Sequence, residues 1–215
     1  DFEWLVIDDG SKDNTEEVVS HYKSILNLRY IKKENGGKHT ALNKGIKCAN
    51  GELFIILDSD DWLVDTCLEK MAQIWQRCQN KETYCGLMGK SMSNGRMIGC
   101  PFPETIKELS YVEYHYGKYA GMFLDCCESI RTDILKNYSW PENLDTKFIP
   151  ENYVMDQIGL KFKLILTNEI LMEKVYENDG ITNNLHEFIK KNISGYLFNT
   201  ISKIDIILPN AHKTE

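Results

Sequence analysis

The sequence predicts an α/β fold built on a largely parallel sheet, and three observations carry that prediction. Over the first hundred residues, strand-like and helix-like stretches alternate at short spacing, the pattern of successive βαβ units. Two apolar runs, Val6-Ile7 and Leu53-Phe54-Ile55-Ile56-Leu57, end in clusters of carboxylates, as buried strands do at the ligand-binding edge of such a sheet. With 215 residues, 42% of them hydrophobic, the chain is long enough for one full core and too short to expect two.

Leu5 to Asp8 reads as the first strand. Asp13, with Glu16 three residues later, is a capping-box-like start for a helix running toward Ser24. A second strand follows at Leu28-Arg29-Tyr30-Ile31. Glu34-Asn35-Gly36-Gly37-Lys38 then turns into a helix with Ala41, Leu42, Ile46 and Ala49 on one face, closed by Asn50-Gly51. The acidic strand comes next, and if the chain is still extended at its end, Asp58 and Asp60 lie on the same side of it. Leu68, Met71, Trp75 and Cys78 mark an amphipathic helix, and Thr83 to Lys90 with Met97 to Cys100 read as two strands joined by a turn at Asn94-Gly95. Residues 101–150, rich in Tyr, Gly and Pro, suit an excursion that walls a pocket. Pro150-Glu151 opens another helix. Leu185, Phe188, Ile189, Tyr196, Leu197, Ile201 and Ile204 predict a long closing amphipathic helix interrupted at Gly195. The chain starts almost directly in a strand, which reads as a piece lacking an upstream segment.

The net charge of −7 argues against a nucleic-acid surface, whose footprint is a basic stripe, so the expected partner is small. Seven cysteines include the adjacent pair Cys126-Cys127 and no C-x-x-C spacing, and most read as buried free thiols in a reducing cytosol. No apolar run reaches the ~18 residues of a membrane span, and the first residues lack the pattern of a secretion signal.

Three carboxylates in four positions, Asp58, Asp60 and Asp61, need a cation. Hard divalent ions take one or two carboxylates, with waters and substrate phosphates filling the remaining positions, so a diphosphate is the expected third party. The plainer reading, in which Asp61 or Asp65 caps the next helix, accounts for one Asp rather than three. At Asp8-Asp9-Gly10-Ser11, one carboxylate suits a base N–H or a ribose hydroxyl while the other orders the turn, although such a turn taken alone is mostly structural. At Asn35-Gly36-Gly37-Lys38, backbone N–H groups, a helix N-terminus and an ammonium together suit a phosphate.

Val6-Ile7-Asp8-Asp9-Gly10-Ser11 with Asp13 and Thr15, then Asn35-Gly36-Gly37-Lys38 with Ala41-Leu42-Asn43-Lys44-Gly45, then Leu57-Asp58-Ser59-Asp60-Asp61, resemble the ordered motifs of family 2 glycosyltransferases over residues 2–80. The resemblance implies a GT-A-like, nucleotide-binding three-layer α/β/α sandwich with a mostly parallel central sheet. It implies one glycosyltransferase domain over 1–215, with a nucleotide-sugar-binding half at 1–100 and an acceptor-side half with a C-terminal helix at 101–215. It further implies a nucleotide-diphosphate-sugar donor, a UDP-sugar being the first expectation, a divalent metal, Mn²⁺ or Mg²⁺, and inversion at the anomeric carbon. Asp60 would face the metal, together with Asp58. Asp8 or Asp9 would contact base or ribose, Lys38 would lie near the nucleotide, and Asp58 and Ser59 would line the nucleotide-sugar.

Inverting chemistry also needs a carboxylate that takes the acceptor's proton. The family places a Glu-Asp pair at a helix start, and Pro150-Glu151-Asn152-Tyr153 resembles that site with Asn in the second position. Asn accepts no proton, so Glu151 is the candidate, with Asp145 and Asp156 in reserve. Two alternatives stay open: a sugar nucleotidyltransferase, and a catalytically impaired nucleotide-sugar-binding module, the latter suggested by Asn152. The resemblance implies a saccharide or lipid-linked acceptor and surface-polysaccharide synthesis at the cytoplasmic face of a membrane, with peripheral association, no integral membrane segment and no nucleic acid. Tyr111, Tyr114, Tyr116, Tyr119, Phe123 and Trp140 read as ordinary packing ahead of a sugar-stacking wall. Of the five histidines, only His39, beside Lys38, stands as a nucleotide neighbour.

Overall fold

A computed structural model describes residues 1–176, 184–204 and 206. Strand β1 (Trp4–Asp8) pairs in parallel with β2 (Leu28–Lys32) across helix α1 (Thr15–Tyr22), the βαβ unit read from the sequence. Helix α2 (Lys38–Cys48) packs back on β1 and leads into β3 (Leu53–Ile55). Next come β4 (Trp62–Leu63), α3 (Cys67–Arg77) and β5 (Tyr84–Ser93), which folds back through Asn94-Gly95 on β6 (Arg96–Met97). The second half holds β7 (Glu108–Leu109), α4 (Tyr111–Tyr116), β8 (Cys127–Arg131), α5 (Thr132–Leu135), α6 (Asn152–Gly159), β9 (Lys163–Glu173), α7 (Leu185–Lys191) and α8 (Ile193–Ile201).

The larger sheet runs β3-β8-β5-β9-β4, with β6 on β5 and β7 on β9. Among the described ladders, β1 with β2 and β5 with β9 are parallel, and the others are antiparallel. The architecture is therefore α/β with a mixed central sheet. Helices lie on the crossovers of both parallel pairings, while β8 runs antiparallel to its neighbours β3 and β5.

Adjacent residues on a strand face opposite sides. Leu87 and Cys127 accordingly join Met71 and Trp75 of α3 on one face of the sheet, while Met88 and Ile130 join Trp140, Ile149 and Ile158 on the other. Two apolar cores thus sandwich the sheet. Trp140 and Phe123 are fully buried, so for them the packing reading is correct.

Several local expectations are corrected. The Asp13 carboxylate does not close a capping box; it accepts from Thr15, and the helix is capped at Asn14 without a side-chain bond. Helix α3 packs Met71, Trp75 and Cys78 on the core as expected, with Cys67 in place of Leu68, which stays at the rim. The closing segment is two helices that break at Asn192, and Gly195 lies inside α8. Strands β8 and β9, both interior to the sheet, are additional to the elements expected. All seven cysteines are free thiols; Cys67, Cys85 and Cys127 are buried, and Cys100 is exposed. Among the described residues, no helix is long and apolar enough to cross a membrane.

Candidate active site

Beyond β3 the chain does not stay extended. The Asp61 N–H donates to the Asp58 carbonyl at 3.1 Å, folding Asp58-Ser59-Asp60-Asp61 into a turn that lines a pocket of about 670 Å³. Lys38, on the first residue of α2, and Glu151, at the N-cap of α6, line the same pocket. The Lys38 ammonium bridges them: Nζ lies 2.6 Å from Asp58 Oδ1 and 2.6 Å from Glu151 Oε1. Burial would depress the Lys38 pKa, but Glu151 and Asp58 outweigh it and hold the group well above its ordinary value. Lys38, Asp58, Ser59, Asp60 and Glu151, drawn from three separate stretches of sequence, thus meet in one cavity.

Asp61 takes another part. Its carboxylate is buried against the Lys174 ammonium at 2.9 Å, just past β9, so it neither caps α3 nor stands open to a ligand. Asp60 is exposed and carries no hydrogen bond or ion pair to the described residues. Among those residues, no three ligand-type side chains gather closely enough to hold a metal on their own. The donor set still fits a hard divalent ion, because Mg²⁺ or Mn²⁺ takes one or two carboxylates and completes its shell with water and phosphate oxygens. Asp60 could supply one such carboxylate and Asp58 a second, the latter meeting Lys38 Nζ through Oδ1 at 2.6 Å and Oδ2 at 2.8 Å in this structure.

Asp8 and Asp9 do not line this pocket. Asp8 is buried and accepts from the Ser11 N–H at 2.6 Å and from the Tyr30 hydroxyl. Burial pushes its pKa up, but those two donors prevail and hold it at about 2. Asp9 accepts from the Gly36 and Gly37 N–H groups at 2.9 and 2.7 Å and from Lys33 Nζ at 2.6 Å. The backbone donors expected to cradle a phosphate are therefore engaged by Asp9. His39 is 1% exposed and lies off the pocket, so it is not placed as a nucleotide neighbour. Of the reserve bases, Asp145 is outside the pocket. Asp156 is fully buried and engaged by His115, Tyr116 at 2.7 Å and Lys203 at 2.9 Å. Asn152 Oδ1 accepts from the Asn199 side-chain N–H at 3.1 Å, which ties α6 to α8.

The loop that delivers Glu151 is held at two close approaches. Gly37 has φ of +94°, and a Cβ there would stand 1.8 Å from the Lys147 carbonyl oxygen. A Cβ on Gly195 would stand 2.0 Å from the Phe148 carbonyl oxygen. Tyr111 and Tyr114, read from sequence as packing, line the pocket as well, and His115, Glu128 and Lys174 are lining groups not anticipated from sequence. The one available signal was the alternation Cys126-Cys127-Glu128-Ser129-Ile130, a strand pattern with a charge on its apolar side.

A family model described as glycosyl transferase family 2 matches residues 1–137. An uncharacterized glycosyltransferase of Rickettsia typhi is 41% identical over 86 residues, 39% of this chain and 26% of that protein. The minor teichoic acid biosynthesis protein GgaB of Bacillus subtilis is 26% identical over 226 residues, 97% of this chain and 23% of that protein. The crystal structure of S. aureus TarS 1–349 in complex with UDP-GlcNAc matches with a TM-score of 0.70 at 20% identity, covering 99% of this chain and 60% of that one. The chain spans about a quarter of the length of these two curated relatives. Its fold is that of the GT-A glycosyltransferases. The chain belongs to glycosyl transferase family 2.

Proposed function

We propose that this domain transfers a sugar, with inversion, from a UDP-sugar to an acceptor hydroxyl in surface-polysaccharide synthesis, and that it depends on Mn²⁺ or Mg²⁺. The observation that carries this reading is the Lys38 bridge, which joins the acidic turn to the start of α6 across one pocket. Asp60 and Asp58 would hold the metal, which when bound neutralises charge developing on the diphosphate. Lys38 adds a fixed positive charge beside it, the kind of preorganised electrostatics that is often the largest contribution to rate. Glu151, at the N-cap of α6 and facing the same pocket, takes the acceptor's proton. Asp8 and Asp9 act on the nucleotide indirectly, by fixing the first loop and the Gly36-Gly37 turn. The matched TarS structure holds UDP-GlcNAc and GgaB is a teichoic acid biosynthesis protein, which favours a UDP-sugar donor and a polymer acceptor.

The test is release of UDP from UDP-sugars with and without Mn²⁺. Glu151→Gln should lower turnover by about 100-fold or more while leaving donor affinity within a few-fold. Asp60→Ala should abolish the stimulation by Mn²⁺. Unchanged turnover in the first variant would move the base elsewhere, and pyrophosphate release from a sugar phosphate and a nucleoside triphosphate would favour a nucleotidyltransferase.

A further inference from the structure

We infer that Glu128 selects the transferred sugar, its carboxylate receiving the hydroxyls of the donor's pyranose ring between the acidic turn and Glu151. The inference rests on the donor reading above and adds to it a residue outside the family motifs.

Residues of β8 alternate between the two faces of the sheet. Cys127 points into the core under α3, while Cys126, Glu128 and Ile130 share the opposite face and all line the pocket. In the antiparallel ladder Ile55 lies opposite Ser129. Continuing that register by one residue sets Glu128 beside Ile56, two residues before Asp58. Glu128 thus lines the same pocket as the acidic turn and Glu151, on the strand beside the one that leads into that turn, which in the proposed reading is the space open to a transferred sugar.

A carboxylate in that setting is costly unless it is satisfied. Glu128 Oε2 accepts from the Tyr111 hydroxyl at 2.6 Å, and no other described side chain hydrogen-bonds the group. The nearby ion pairs are already closed: Lys38 with Asp58 and Glu151, Lys174 with Asp61. Burial pushes the Glu128 pKa up, with Glu151 adding to the rise and Tyr111, His115 and Lys174 opposing it without prevailing. A group this poorly neutralised gains from ligand hydroxyls, and a carboxylate can accept from two neighbouring hydroxyls at once. Tyr111, itself almost fully buried, fixes the carboxylate orientation. That makes Tyr111 a positioning residue and Glu128 a specificity residue.

Calorimetry in Mn²⁺ on the whole chain, with UDP, UDP-glucose, UDP-galactose, UDP-GlcNAc and UDP-GalNAc as probes, tests the assignment. For the preferred sugar, Glu128→Gln should bind UDP as the parent does but weaken the UDP-sugar about 10-fold, with the spread among the four sugars narrowed. Tyr111→Phe, which keeps the ring and frees the carboxylate, should show the same pattern at about 3-fold. An unchanged ratio of UDP-sugar to UDP affinity in both variants overturns the role of Glu128 while leaving the donor reading intact. A change confined to the acceptor KM also overturns it, assigning Glu128 to the acceptor's sugar. Failure of the parent chain to bind any of the five probes overturns the donor reading and this inference together.

Discussion

Lys38 and Asp8 show how differently two charged residues of one motif set are used. Lys38 is a bridge, and its value lies in joining carboxylates that the sequence separates widely. Asp8 is a brace, buried and satisfied by Ser11 and Tyr30. Its pKa of about 2 lies below the 3.8 of a free Asp, so its stabilisation is fully present above pH 4 and is lost as the pH falls toward 2. Asp8→Asn should cost about 2 kcal/mol at pH 7, and urea titrations should show parent and variant converging as the pH drops through that window. A constant difference down to pH 2 would mean that the carboxylate charge is not what the loop uses.

At the scale of elements, the turn before α2 is the most tightly specified. With φ of +94° and ψ of 160°, Gly37 occupies a backbone region open in practice only to glycine, and side chains elsewhere pay strain of about 1–3 kcal/mol there. Gly37→Ala adds a collision with the Lys147 carbonyl, so the thermal midpoint should fall and Lys38 should lose its register with Glu151. Wild-type stability together with wild-type turnover would contradict this. The Gly-Gly-Lys turn was legible in the sequence because glycine and a following helix are local signals. The partners of its N–H groups were not, since Asp9 reaches them only after β1 and β2 have paired. Strands β8 and β9 escaped notice for a related reason. Their apolar residues are interrupted by Glu128, Asn168 and Glu169, and what identifies them as strands is pairing with β5 on one side and with β3 or β4 on the other, contacts distant in sequence. The residues that meet at the pocket from the acidic turn and α6 were readable as types; Glu128, Tyr111 and Lys174 acquire meaning only from that pairing.

Across the whole molecule, segments of the second half are drawn together by buried charge. Asp156 in α6 is fully buried and collects His115 and Tyr116 from α4 and Lys203 from beyond α8, so three segments share one carboxylate. Removing one partner of a buried pair typically costs about 3–5 kcal/mol, because the remaining charge is left uncompensated. Lys203→Met should therefore lower stability by about 3 kcal/mol in urea denaturation, and the pocket wall at His115 should loosen with it. A loss below about 1 kcal/mol would show that His115 and Tyr116 suffice.

The stretch Lys147-Phe148 passes between two positions, 37 and 195, where hydrogen stands in place of a methyl. Glu151 follows directly, so its address is set by a clasp whose jaws come from opposite ends of the chain. A partly assembled molecule, whichever jaw is absent, has nowhere to seat Glu151; under the proposed role of that residue, competence for turnover should arrive only with completion of the native state.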